Sequence, residues 1–168
     1  MASQSLDSFC NWLAATTVSQ TIQTIDWIIP AVQTVHILAV AAVVSSALMI
    51  NLRLLGIRRD DQSVAGVARR FLPFIWWPLP LLLLTGAILI VAEPARALEN
   101  PVFSLKMGLL LAAAGVTLAC QLPLRSNASF WELSAGRRRA AQLIALASIP
   151  LWIAIVCAGR WIAYVQGT

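Results

Sequence analysis

Long apolar runs alternate with short polar segments along this chain, and that pattern predicts helices. Four runs, at about residues 25–55, 71–93, 102–122 and 140–165, are long enough to cross a bilayer, which takes about 20 residues in a helix. The first run reads IDWIIPAVQTVHILAVAAVVSSALMINLRLL and has 31 residues. As a helix it is about 46 Å long at 1.5 Å per residue. A hydrocarbon core is about 30 Å thick, so this run must tilt or project beyond it.

Prolines punctuate the runs. Pro73 falls in the first turn of the second run, where a missing N–H costs little. Pro78 and Pro80 lie deeper and should kink or loosen that helix, and Pro150 does the same within the fourth run. Neighbouring helices can satisfy the carbonyls that prolines free. Residues 5–23, SLDSFCNWLAATTVSQTIQ, are too polar to span. Leu6, Phe9, Trp12 and Leu13 share one helical face, which predicts a short amphipathic helix on the outer membrane surface. No long linker or repeat interrupts the chain. The expected fold is all-α: one domain over residues 1–168, an integral-membrane four-helix up-down bundle preceded by that surface helix.

Composition agrees. Sixty per cent of residues are hydrophobic and 11% charged, against soluble norms of about 45–50% and about 25%. So few charges cannot coat a soluble globule. A disordered chain and a disulfide-rich secreted module are equally poor fits. The net charge of +5 does not point to nucleic acid, because no aromatic residues interleave with basic ones to read a strand. The basic residues sit at the ends of apolar runs instead. Arg53, Arg58, Arg59, Arg69 and Arg70 lie between the first and second runs, and Arg125, Arg137, Arg138 and Arg139 between the third and fourth. Between the second and third there is only Arg96, beside Glu93 and Glu99. By the positive-inside rule, both termini then lie on the periplasmic side of a bacterial inner membrane. Trp27, Trp161 and Tyr164 fall where an outer aromatic belt is expected. Residues 1–25 contain no Lys or Arg, so the basic region of a cleavable signal is missing.

Away from the ends of the runs, three basic residues fall inside them: His36, Lys106 and Arg160. Such groups are costly in a membrane and are functional candidates by default. His36 lies about 16 Å along its helix from residue 25, near the midplane. Its imidazole suits hydrogen bonding to a neighbouring helix, axial ligation of haem iron, or a proton or quinone site. Lys106 and Arg160 each lie roughly 7 Å inside the outer ends of their helices. They fit either ion pairs with Asp26, Glu93 and Glu99, or a seat for haem propionates, a lipid phosphate or a substrate carboxylate. Lys106, Ala113, Thr117 and Gln121 form a polar stripe along the third helix. Cys10, Cys120 and Cys157 have no metal-ligand spacing. Asp60 and Asp61 sit among arginines and read as solvated charge. No nucleophile elbow, HExxH or P-loop occurs, so no catalytic activity of the chain on its own is expected.

The segments VHILAVAAVVSSALMINLRLLG, NPVFSLKMGLLLA and AGRWIAY together resemble a group of small bacterial inner-membrane proteins of uncharacterised function. The match runs over about residues 25–165. More remotely, the arrangement is similar to the membrane domain of copper-resistance protein D and to b-type cytochromes. That likeness implies haem b as the cofactor to consider, with His36 on the iron. Those relatives normally offer more than one histidine and this chain has one. The expectation is therefore a haem- or quinone-associated redox subunit. Its partners are the lipid bilayer and a second copy or a larger membrane complex. The alternative is an accessory subunit or a small oligomeric transporter component.

Overall fold

A computed structural model describes residues 2–57 and 63–161. Arg58, Arg59, Asp60, Asp61, Tyr164 and the end of the fourth predicted span lie outside the described residues. Within them the regular elements are all helices. They are α1 (Ala2–Ala14), α2 (Thr17–Thr24), α3 (Ile28–Leu54), α4 (Val64–Phe71), α5 (Pro73–Trp76), α6 (Pro78–Ala92), α7 (Pro94–Leu98), α8 (Pro101–Ser126) and α9 (Ala135–Trp161). Among the described residues, four stretches are long and apolar enough to cross a membrane: Ile28–Leu54, Val64–Ala92, Pro101–Ser126 and Ala135–Trp161. Leu83 and Leu111 on these helices are 74% and 76% exposed. Lipid rather than water suits such a surface, and the protein is a membrane protein.

The second span differs from its expected limits. Its helical course starts at Val64, ahead of the apolar run at Phe71. Ser63 is the reason: its hydroxyl accepts the Gly66 N–H at 3.1 Å, a helix N-cap. Glu132 accepts the Val64 N–H, also at 3.1 Å. Val64, Ala65, Val67 and Ala68 are buried while Arg69 and Arg70 are exposed, and these arginines suit the negative end of α4. Pro73 therefore lies within the span and not in its first turn. The regular helix is interrupted at Leu72 and Trp77, yet both keep right-handed helical angles (φ −56°, ψ −38° and φ −64°, ψ −38°). What is missing is the hydrogen bonds that prolines cannot donate. The ladder closes around them, with Leu72 N to Ala68 O and Trp77 N to Pro73 O both at 2.8 Å.

Residues 5–23 also fold differently from one surface helix. Thr16 is extended and caps α2, accepting from Ser19 N at 3.3 Å, so two helices replace one. Its hydroxyl donates to Leu13 O at 2.6 Å, closing α1. At the other spans, helix outruns hydropathy. α8 continues to Ser126 through Pro123, and α9 begins at Ala135, ahead of Arg137, Arg138 and Arg139. Ser134 accepts the Arg137 N–H at 3.3 Å and starts that turn. Apolar runs mark the depth of a span, whereas capping residues mark its ends.

By internal contacts the chain divides into two compact units. Unit 1 comprises Met1–Val40, Leu79–Met107 and Val156–Thr168, and unit 2 comprises Ala41–Pro78 and Gly108–Ile155. In unit 1, α1 packs along α7. Gln23 donates to Ala92 O at 2.6 Å and to Ser19 Oγ at 3.2 Å, tying α2 to the end of α6. Cys10 is buried, 1% exposed, with the Glu99 carboxylate near its thiol.

In unit 2, Asn51 Nδ2 donates to Ser148 Oγ at 3.0 Å, joining α3 to α9. Trp76 Nε1 donates to Gln121 Oε1 at 3.1 Å, joining α5 to α8. Between these pairs lies a cavity of about 30 Å³, lined in part by Thr117 and Ala47, with room for about one water. Ala47, Ala68, Ala141 and Ala145 are all buried, and small residues of this kind let helix backbones approach closely.

Burial, and then the Glu99 and Asp7 carboxylates, hold the Cys10 thiol above its ordinary value of 9.0. Folding thus favours the neutral thiol, a preference fully present below the ordinary thiol range and lost as pH rises through the raised value. Cys10 in the folded protein should react with a water-soluble maleimide at pH 8 more slowly than in denatured chain. Glu99→Gln should speed that labelling. Mass mapping of the Cys10 peptide reads this; equal rates in folded and denatured protein would overturn it.

Candidate functional site

His36 on α3 and Thr85 on α6 are the centre of the site. An all-aliphatic α6 would have nothing to offer an imidazole. The run LLLLTGAILIV instead places a hydroxyl and a glycine side by side. Thr85 is buried and His36 half-buried, with Nδ1 of the ring 2.7 Å from Thr85 Oγ1. Thr85 has one hydroxyl hydrogen, which it gives to Leu81 O at 2.7 Å, one turn earlier. With that hydrogen on Leu81, a bond donated by the ring would leave Nδ1 with the proton and Nε2 with the lone pair. No hydrogen bond reaches Nε2 among the described residues. Gly86 faces the same ring, and a Cβ there would lie 3.8 Å from His36 Cε1. Alanine would touch the imidazole in ordinary contact, and anything larger would press on it.

Lys106 on α8 has a similar setting. It is half-buried, and its Nζ would lie 3.6 Å from a Cβ placed on Gly159 of α9. The glycine gives the ammonium room. Lys106 makes no ion pair among the described residues. Both groups belong to unit 1. Arg160 follows Gly159 in the chain and is exposed, with an interaction of its own.

The acidic residues expected near these cations are partly engaged elsewhere. Glu93 pairs with Arg96 at 2.7 Å, and Glu99 lies near the Cys10 thiol. Ala113, Thr117 and Gln121 of the expected stripe lie on α8, the helix that carries Lys106. Thr117 bonds to its own helix at Ala113 O, 2.8 Å away, and Gln121 to Trp76.

Among the described residues no three of His, Cys, Asp and Glu gather as a metal site. A zinc or copper centre built from this chain's own ligands does not fit. Haem asks less of the protein, because the porphyrin supplies four of the iron's ligands. A single imidazole held by a second residue, as His36 is by Thr85, would suit such an iron. Sequence reasoning singled out His36 and Lys106 but missed Thr85, Gly86 and Gly159. The only advance signal was a Thr-Gly pair inside a leucine run.

The chain's single histidine makes the tautomer directly measurable. ¹⁵N-histidine NMR should give a protonated Nδ1 and an unprotonated Nε2, and Thr85→Val should abolish that preference. Protonation at Nε2 in the unaltered protein would contradict the assignment.

A family model described as a family of unknown function (DUF6644) matches residues 9–165. No curated protein and no solved structure matches the chain.

Proposed function

This chain belongs to that family of unknown function, and we propose that it is a small haem- or quinone-associated subunit of a bacterial inner membrane, without catalytic activity on its own. The observation that carries this reading is the 2.7 Å bond between His36 Nδ1 and Thr85 Oγ1. A neutral imidazole held at Nδ1 presents Nε2 in the form that ligates iron or accepts a hydrogen bond from a quinol hydroxyl. Lys106 then supplies a cation for the anionic periphery, a haem propionate or a polarised quinone oxygen, with Arg160 as a second, fork-shaped donor. Gly86 and Gly159 leave space at the ring and at the ammonium. Haem or quinone, when bound, supplies the electron chemistry; the residues of this chain bind and orient it.

With one histidine per chain, His36 would hold a haem alone or together with His36 of a second copy. The same His36–Thr85 bond favours a second reading, in which it simply ties α3 to α6 in an accessory or transporter subunit.

Purification in mild detergent separates the two. Reduced-minus-oxidised spectra should show Soret and α bands, or solvent extraction should yield a bound quinone. His36→Ala should remove either signal. Bare spectra, no quinone, and unchanged assembly of the His36→Ala variant would leave the accessory reading.

In this reading the spans run up and down, with both termini periplasmic. Supporting it, the described arginines of the two basic loops, from Arg53 to Arg139, all belong to unit 2, while Arg96 and Arg160 belong to unit 1. Exposed Phe9, Trp12 and Trp27 suit α1 and the start of α3 to the outer interface. A reporter fused to the C-terminus should be active only if it folds in the periplasm. Activity there of a reporter restricted to the cytoplasm would reverse the orientation.

A further inference from the structure

Unit 2 contains a second cavity, of about 190 Å³, whose lining includes Arg53, Gly56, Trp131, Glu132 and Arg138. Several of these groups are already committed. Trp131 is buried and gives its indole N–H to Cys120 O at 3.1 Å, so it is a wall. Glu132 accepts the Val64 N–H at 3.1 Å and faces the Arg53 guanidinium at 3.9 Å. The carboxylate charge in the lining is thereby met.

Arg138 is different. It is exposed, and its guanidinium makes no hydrogen bond or ion pair among the described residues. Its neighbour Arg137 is stacked on Phe130, 4.3 Å from the ring centroid. Gly56 shapes the wall beside it. With φ of 75°, Gly56 sits in the left-handed region that other residues enter only with strain. A Cβ there would lie 3.7 Å from Arg138 Nη2. The glycine therefore turns the chain after α3 and leaves the guanidinium its place at the cavity.

The Arg138 guanidinium, with no carboxylate partner among the described residues, places a cation on the lining. A planar guanidinium fork matches the oxygens of a phosphate better than it matches a halide or a neutral ligand. Basic pockets among membrane helices hold anionic headgroups by the same chemistry. We propose that this cavity is a seat for a phosphate group, with Arg138 as the residue that contacts it. The phosphate belongs either to an anionic lipid headgroup or to free phosphate. This inference is independent of any cofactor at His36.

The test uses the full chain in detergent, titrated with phosphatidylglycerol, with diacylglycerol as the phosphate-free comparator, and with inorganic phosphate. Native mass spectrometry reads lipid retention and thermal melting reads phosphate. Phosphatidylglycerol or inorganic phosphate should bind, and diacylglycerol should not. Arg138→Gln should weaken binding about tenfold, the loss expected for a charge-assisted hydrogen bond. Arg138→Lys should recover part of it. Arg139→Gln, an exposed neighbour that does not line the cavity, should stay within about twofold, as for a distant surface charge. Competition by inorganic phosphate against the lipid identifies free phosphate as the ligand, and absence of competition identifies the headgroup. Equal retention of diacylglycerol, equal losses in Arg138→Gln and Arg139→Gln, or no binding of either phosphate probe would overturn the proposal.

Discussion

A hydrocarbon core offers no hydrogen bonds, so every backbone and side-chain polar group placed there must find a partner within protein. The rest of this structure follows from that constraint. The spans are helices because a helix satisfies its own backbone. Thr34, Ser46 and Thr117 turn their hydroxyls back onto carbonyls one turn earlier, at 2.7–2.8 Å. Among the described residues no buried side-chain nitrogen or oxygen lacks a partner. The proline-rich stretch near Pro73, Pro78 and Pro80 obeys the same rule. Leu72 and Trp77 keep helical angles there, so the chain loses individual hydrogen bonds without leaving its helical course.

Interhelical polar bonds meet the constraint in two ways. In unit 2, Asn51–Ser148 and Trp76–Gln121 join neutral side chains, and nothing about either pair demands a ligand. Each is worth on the order of 0.6 kcal/mol in a membrane, enough to help set helix positions. In unit 1, His36–Thr85 uses one ring nitrogen and leaves the second without a hydrogen bond among the described residues. That asymmetry separates a tie between helices from a group with capacity left over. The same distinction applies at the end of α3. Glu132 is engaged by Val64 and Arg53, while the Arg138 fork has no partner among the described residues.

Much of the fold was legible in the sequence because its cause is local. The four spans follow from run length, and their approximate limits from hydropathy. The ends were less legible. Ser63 and Ser134 start α4 and α9 several residues ahead of the apolar runs, since a helix can continue where hydropathy has already fallen. Thr16 splits the N-terminal segment for a similarly local reason, but one that an apolar-face argument does not weigh. Of the candidate site, His36 and Lys106 stood out because ionisable groups are rare in a span. Thr85, Gly86 and Gly159 did not, because Thr and Gly are ordinary residues in membrane helices.

By itself, the sequence determined that the chain is a helical membrane protein with few intramembrane charges. It did so because burying unpaired polar groups in lipid is prohibitive, and the order of apolar and polar residues records which segments avoid that cost. Only the tertiary structure decided which partner each charge or imidazole received. Thr85 and His36 are 49 positions apart, and Gly159 and Lys106 are brought together from two different helices. Such pairings depend on how helices pack and rotate. That is a property of all their surfaces together, and no single stretch of residues encodes it.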